Sequence, residues 1–404
     1  MLETILGVVF FSGIVLLLTL FVLGARRLLV PRGECDIEIN GRKSVRAEIG
    51  QHLLEVCQGA GIHVPSACAG AGTCGLCKTR VLVGGGEAGP QELAHLSRRE
   101  AARGGRLACQ VRVLGPMSIE VDEAYFDVRT WDCVVEKTRN VSTLIREIVF
   151  RLQEPMEFRA GSFVELTSPP YRLEFKDLEI EAEFRDVWDR FDLWRLEAGS
   201  DIEVTRAYSM ANHPAEEGLI ILNIRIALPP TGQADAPPGV VSSWLFSLKP
   251  GDKVTLRGPY GHFAVEPSER ELVFIGGGAG MAPLRAQILD LLETQQSKRR
   301  ITYWYGARSK RELYYDDVFD RLQREHENFE WHPALSEPDT SDAWAGYTGF
   351  IHQVAYDNYL VQHPAPESCE YYLCGPPMMV QSVLAMLDDL GVDAENIHYD
   401  DFGT

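Results

Sequence analysis

Four cysteines constrain what this chain can fold into more than any other feature. Cys68, Cys74, Cys77 and Cys109 read C-x5-C-x2-C, then thirty-one residues, then C. The first three sit in a run of small residues, Ala69-Gly70-Ala71-Gly72-Thr73-Cys74-Gly75-Leu76-Cys77. Four thiolates can converge on two irons when a tight loop and one distant strand are brought together. Small residues let the loop close and aim N–H groups at negatively charged sulfur. The spacing therefore predicts a [2Fe–2S] cluster held by Cys68, Cys74, Cys77 and Cys109, and a chain that handles single electrons. Zinc is the rival for such a set, but paired zinc knuckles want two C-x2-C units and only one is present. Cys57 precedes the loop at a spacing that has no place in the pattern. Together with Cys35, Cys133, Cys369 and Cys374 it forms no disulfide-like framework, which fits a reducing compartment.

A length of 404 residues suits about three domains. With 45% hydrophobic and 24% charged residues the chain reads as folded. A formal charge of −19 argues against a nucleic-acid binder, which needs a basic stripe. Ile5 to Gly24 is free of charge and rich in Leu, Val, Ile and Phe. As a helix it would span about 30 Å, the thickness of a bilayer core. Arg26 and Arg27 follow it and only Glu3 precedes it, so the positive-inside bias places the rest of the chain on the cytoplasmic side. A cleaved signal peptide would want basic residues before the run and a small-residue site after it. Residues 1–31 are thus expected to be one uncleaved transmembrane helix.

Three domains are expected beyond it. Residues 32–127 read as an α+β ferredoxin-like unit. Strand-like alternation covers 35–45 and 77–83, helices 51–60 and 92–103, and Cys109 lies in a strand-like run. Residues 128–266 show short alternating strands and suggest a β-barrel. A charged, aromatic insertion at 171–197 interrupts it. Its Phe175, Trp188, Phe191 and Trp194 either pack on the barrel or form a docking element for a partner. In 267–404 strands alternate with helices, as in a doubly wound α/β sheet.

The motifs carry the chemistry. Gly276-Gly277-Gly278-Ala279-Gly280-Met281-Ala282-Pro283 joins a strand to a helix. Glycines there let backbone approach a pyrophosphate at the positive end of the helix, although such turns also arise from packing alone. Arg206-Ala207-Tyr208-Ser209 offers an arginine for a flavin pyrophosphate, a tyrosine to pack on the flavin and a serine to hydrogen-bond its N5. A surface arginine beside a core tyrosine would look the same. Gly239 to Ser243 opens a second helix, with Ser242 and Ser243 suited to the same pyrophosphate or to plain capping. Cys374, in Cys374-Gly375-Pro376-Pro377, is either a thiol near a nicotinamide or a small buried one. Phe402 stands two residues from the last one, as a stacking aromatic or part of a frayed tail.

Together these pieces resemble a known family. Arg206-Ala207-Tyr208-Ser209, the Gly276 to Pro283 turn, Tyr305-Gly306-Ala307-Arg308 and Cys374-Gly375-Pro376-Pro377 are similar to the ferredoxin–NADP reductase superfamily. A plant-type ferredoxin fused ahead of it resembles the reductase components of bacterial oxygenases. The apolar run, the five-residue gap in the cysteine loop, the insertion and the Asp-Asp-Phe-Gly ending resemble the F subunits of the sodium-translocating NADH:quinone oxidoreductases. Ala69 and Ala71 depart from that family's more uniformly glycine loop.

The resemblance implies a component of a bacterial inner-membrane enzyme that oxidises NADH by hydride transfer to FAD. Single electrons then leave through the [2Fe–2S] cluster to partner membrane subunits that reduce ubiquinone and move sodium. It implies that Arg206, Tyr208, Ser209, Gly239, Ser242 and Ser243 hold FAD. It also implies that Gly276, Gly278, Gly280, Arg308 and Cys374 line the NADH site, with Ser209, Cys374 and Phe402 at the reacting rings. Ser309, Lys310 and Arg311 would on charge alone tolerate a 2′-phosphate. Two other readings stand beside this one: an anchored oxygenase reductase, and a non-catalytic anchored electron carrier.

Overall fold

The computed structural model describes residue 7 and residues 10–21, 33–66, 68, 70–126, 128–230, 232, 236–261 and 263–400. Residues 10–21 are helical, with Phe10, Leu17 and Phe21 exposed. The apolar run 5–24 extends past them at both ends. Among the described residues no helix is long and apolar enough to cross a membrane. Contacts divide the chain into two units, one of Met1–Val64 with Gly70–Phe126 and one of Pro65–Ala69 with Asp127–Thr404.

The first unit is a five-stranded sheet in the order β2-β1-β5-β3-β4. Its strands are β1 (Glu34–Ile39), β2 (Lys43–Glu48), β3 (Lys78–Val83), β4 (Gly105–Leu107) and β5 (Met117–Glu120). In β1 the residues Cys35, Ile37 and Ile39 point inward and Glu34, Asp36 and Glu38 outward, the period of a half-buried strand. The strand-like stretch 35–45 is a hairpin, because Asn40 (φ 53°) and Gly41 (φ 63°) turn the backbone back. Helix Leu53–Gly59 buries Leu53, Leu54, Val56 and Cys57. Each such aliphatic side chain contributes roughly 1.5–3 kcal/mol by leaving water. The helix expected over 92–103 is two, Pro90–Leu93 and Arg98–Ala102. Ser97 starts the second with a capping box, Ser97 Oγ accepting from the Glu100 N–H at 3.1 Å and Glu100 Oε2 from the Ser97 N–H at 2.7 Å. Glu92 is held by Arg106 in a buried ion pair at 2.8 Å.

The second unit combines a barrel with a parallel sheet. Strands β6 (Arg129–Ser142), β7 (Ile145–Leu152), β8 (Phe163–Ser168), β11 (Val204–Ser209), β12 (Leu219–Arg225) and β13 (Lys253–Tyr260) form a sheet in the order β11-β8-β13-β6-β7-β12. A bridge between Met210 and Leu222 joins its two edges, which closes the barrel. Within the insertion, β9 (Tyr171–Glu174) and β10 (Glu197–Ser200) pair as a ribbon around the short helix Arg185–Arg190. Phe175 and Trp188 are fully buried in the barrel core, and Trp188 Nε1 donates to the Thr143 carbonyl at 3.0 Å. Phe191 is 59% exposed. Trp194, partly buried, packs against Trp188 with ring centroids 5.0 Å apart, so packing accounts for three of those four aromatics and Phe191 stays at the surface.

The rest is a six-stranded parallel sheet in the order β17-β16-β15-β14-β18-β19. Its members are β14 (Leu272–Gly277), β15 (Ile301–Ala307), β16 (Phe329–Leu335), β17 (Tyr347–Thr348), β18 (Glu370–Cys374) and β19 (Ile397–Asp400). The central β14 is buried on both faces, as its unbroken Leu-Val-Phe-Ile run requires. Strand order reverses at β14, with β15 on one side and β18 on the other. Ligands of doubly wound sheets bind outside the carboxyl ends of the strands at such a reversal.

Candidate functional site

The cysteine loop is built by glycines. Gly70, Gly72 and Gly75 take left-handed φ of 87°, 77° and 67° between the cysteines. Cys77 and Cys109 are buried and Cys74 is half-buried. Cys109 lies in a turn and not in the expected strand. The β3–β4 ladder ends at Leu107, whose carbonyl accepts the Gln110 N–H at 2.8 Å. The Ala108 N–H reaches the Cys77 carbonyl at 2.8 Å and brings the two cysteines together. The Cys77 thiol donates to Cys109 and holds it below the ordinary thiol range. The Gln110 amide, 3.4 Å from its sulfur, and the Gly72 N–H reinforce this against burial. The same bond, with burial, pushes Cys77 up. N–H donors aimed at a sulfur, as from Gln110 and Gly72, are what an iron–sulfur centre asks of its loop.

Cys68 is half-buried in Pro65–Ala69, the segment that groups with the second unit. That segment is tied to β8 by the Ser66 N–H on Glu165 Oε1 at 3.2 Å. Cys57 is buried in its helix, with its thiol pushed up to about 12 by burial. None of the nine cysteines is in a disulfide.

Arg206, Tyr208 and Ser209 lie within β11. Strand alternation puts Arg206 and Tyr208 on one face and Ser209 on the other. Arg206 is exposed, and its guanidinium reaches only the Thr205 carbonyl, at 2.8 Å. It makes no ion pair among the described residues. Burial pushes the half-exposed Tyr208 phenol well up, so it stays protonated. Ser209 is buried, and its Oγ donates to Asp400 Oδ2 at 3.0 Å. Helix Val240–Ser247 packs against β11, with Gly239 as its N-cap. Ser242 Oγ accepts from the Ala227 N–H at 3.1 Å and donates to the Gly239 carbonyl at 3.2 Å. Ser243 Oγ is buried with no hydrogen-bond partner. A guanidinium without an ion pair among the described residues, on a strand packed against a helix whose first turn holds an unsatisfied buried hydroxyl, fits a bound pyrophosphate.

Gly276 and Gly277 end β14, and Gly278–Gly280 lead into helix Met281–Leu289. A Cβ on Gly280 would overlap the Cys374 carbonyl, and one on Gly276 would stand 2.8 Å from Leu284 Cδ1. The turn thus needs glycine for close packing as well as for ligand approach. Cys374 is fully buried at the end of β18, level with Gly276. Arg308 is exposed and paired with Glu337 at 2.8 Å. Arg311, which charge alone would offer to a 2′-phosphate, is paired with Asp186 of the insertion at 2.6 Å. Phe402 lies outside the described residues.

Asp400 and Glu337 were not foreseen. Nothing local marks either carboxylate, since their partners lie 191 and 29 residues away. Glu271, His363 and Cys369 also bring ligand-type atoms within 4.8 Å of one another. There His363 Nδ1 accepts the Ala365 N–H at 3.2 Å, so Nε2 carries the proton and faces Glu271 Oε2 at 3.2 Å. Tyr359 donates to the same carboxylate. That cluster is a satisfied hydrogen-bond network.

Known proteins match these pieces. A 2Fe-2S iron-sulfur cluster binding domain family matches residues 37–114, an oxidoreductase FAD-binding domain family 194–265, and an oxidoreductase NAD-binding domain family 274–384. Among solved structures, the cytochrome P450 reductase GcoB of Amycolatopsis is similar, with TM-score 0.64 and 28% identity over 91% of this chain and 98% of that one. The ferredoxin reductase in carbazole 1,9a-dioxygenase has TM-score 0.59 and 26% identity over 92% and 99%. The chain therefore uses a [2Fe–2S] cluster, FAD and NADH. Over whole chains, the F subunit of the Na(+)-translocating NADH-quinone reductase of Methylococcus capsulatus is 52% identical, covering 100% of both. That of Neisseria meningitidis serogroup B is 51% identical over 99% of this chain and 100% of its own. Similarity of this extent places the chain in the family of F subunits of the Na(+)-translocating NADH-quinone reductases.

Proposed function

We propose that this chain is the electron-input component of a sodium-translocating NADH–quinone reductase, with partner membrane subunits carrying out quinone reduction and sodium movement. The observation that carries this reading is one chain holding a thiol loop, a flavin-type strand and a dinucleotide turn while matching the F subunits over its whole length. When bound, FAD accepts a hydride from NADH and the cluster carries single electrons onward.

The chain's own residues set the stage for that chemistry. Arg206 supplies a cation for the flavin pyrophosphate, and Ser243 and the first turn of helix Val240–Ser247 supply donors. Tyr208 offers its ring, and Asp400 orients the Ser209 hydroxyl. The Gly276–Gly280 turn receives the NADH pyrophosphate with backbone N–H groups. Cys374 forms its floor, and Arg308 lines the approach. Cys68, Cys74, Cys77 and Cys109 ligate the cluster.

An oxygenase reductase would share the fold, but the relatives matching at half identity over the full length are not of that kind. The test replaces single cysteines in the full chain. Cys74→Ala is expected to lose the cluster's visible and electron-spin spectra and quinone reduction, yet keep NADH oxidation by artificial acceptors. Cys57→Ala should keep all three. The reverse pattern would overturn the ligand assignment.

Residues 1–31 act as the membrane anchor in this reading, on the strength of their charge-free run and the two arginines behind it. Deleting them should preserve flavin content and NADH oxidation and abolish quinone reduction in the assembled complex. Flavin loss from the truncated chain would count against that division.

A further inference from the structure

Gly278 is the pivot of the dinucleotide turn. Its φ is +55°, and no atom lies within 4 Å of where a Cβ would stand. Its carbonyl accepts hydrogen bonds from two phenols, Tyr305 Oη and Tyr314 Oη, each at 3.0 Å. Tyr305 belongs to β15 and lies level with Gly276. Tyr314 comes from the connection that follows, two residues before helix Asp316–Glu325. Their rings meet edge to face, 6.3 Å apart at 88°. Both are buried, and burial pushes both phenols well up, so they remain donors at any pH the protein meets.

A peptide unit is planar and trans, so its C=O and N–H point in opposite directions. Drawing the Gly278 carbonyl into the tyrosine cluster turns the Ala279 N–H the other way, out of the cluster. Gly280 meanwhile has its back against the Cys374 carbonyl. The turn is thus held at Gly278 by the two phenols and confined at Gly280 by the end of β18.

We propose that Tyr305 and Tyr314 are positioning residues for NADH: their paired hydroxyls hold the Gly278 carbonyl and thereby aim the Ala279 N–H at the dinucleotide pyrophosphate. This rests on the reading of Gly276–Gly280 as the pyrophosphate site. It adds two residues from a different strand and loop whose work is done through the backbone. Left-handed glycine backbone is easily reoriented. Two donors on one carbonyl oppose that freedom without placing a side chain in the ligand's path.

The experiment uses the full-length chain with flavin and cluster in place, and compares Tyr305→Phe, Tyr314→Phe, the double variant and Gly278→Ala. Each single variant should raise KM for NADH roughly three- to tenfold, with kcat toward an artificial one-electron acceptor held within about twofold. The double variant should exceed the product of the singles, because only then does the carbonyl lose both side-chain partners. The inhibition constant of ADP-ribose, which has the pyrophosphate but no nicotinamide, should rise by the same factors. Gly278→Ala reports on the turn itself and should raise KM as well.

A parental KM in the tyrosine variants beside a raised KM in Gly278→Ala overturns the positioning role alone. A parental KM in all four overturns the pyrophosphate reading with it. Lowered melting temperature or lost flavin at parental KM assigns the tyrosines to packing and likewise overturns the proposal.

Discussion

In the reading proposed above, the two glycine turns of the second unit offer donors to their nucleotides in different ways. At Gly239 the donors include side chains. Ser243 lies unsatisfied inside the first helical turn, and Arg206, without an ion pair among the described residues, stands on the strand that helix packs against. At Gly276–Gly280 the donors are backbone alone. Two of the cations that follow β15 are already paired, Arg308 with Glu337 and Arg311 with Asp186. A cofactor that must stay is served by an uncompensated charge, since charge-assisted hydrogen bonds are the strong ones. A substrate that must leave each turnover is served by N–H groups whose attraction is modest and whose aim is good. The lesson is that one helix-terminus principle can give a resident site or an exchanging one, according to what the side chains add.

The largest expected effect lies in the backbone-only turn. Gly280→Ala must move the turn away from the Cys374 carbonyl. NADH oxidation is expected to fall by about a hundredfold, on the scale of a misplacement of roughly 1 Å. Flavin and cluster spectra should remain. Loss of flavin in this variant would mean the two turns are not separable, and the comparison would break.

Next comes the charged site. Arg206→Ala should weaken FAD by roughly ten- to a hundredfold, read as flavin fluorescence released on dilution. KM for NADH should be unchanged in the flavin-saturated protein. A shift in KM with unaltered FAD retention would assign Arg206 to the wrong nucleotide.

The smallest effect concerns what holds the barrel and the nucleotide sheet together. Glu147 on β7 accepts from Arg139 at 2.8 Å and from Tyr315. Burial alone would push its carboxyl up, but these partners outweigh burial and hold it below the ordinary range. A depressed carboxyl adds stability above its unfolded pKa and loses it as pH falls through the folded value. At pH 7 the parent should therefore melt about 2–4 °C above Glu147→Gln. The gap should close as pH drops below about 4. Thermal unfolding followed across pH checks this, and a gap that widens in acid would show that the pairing does not stabilise the unit.

Much of this molecule was legible in order of residues alone. The four thiols, the strand–glycine–helix unit at Gly276 and the Arg206 to Ser209 motif each depend on neighbours within a dozen or so positions, or on one widely spaced cysteine. Local spacing is enough to state such chemistry, because loop closure and strand alternation act over short stretches of chain. Local pattern misled where a single residue outvoted it. Asn40 and Gly41 turned one expected strand into a hairpin, and Ser97 split one expected helix in two. It also misled where a ladder ran out, as at Leu107 before Cys109.

Only the tertiary structure decided which hydroxyls and carboxylates meet. Ser209 finds Asp400, Arg311 finds Asp186, and two tyrosines find one glycine carbonyl. Each partner lies tens to hundreds of positions away, joined by strands that are neighbours in a sheet but not in sequence. Composition and periodicity say that a residue is polar or buried. They do not say what satisfies it, because a hydrogen bond is set by angstrom distances that exist only once the sheets have closed.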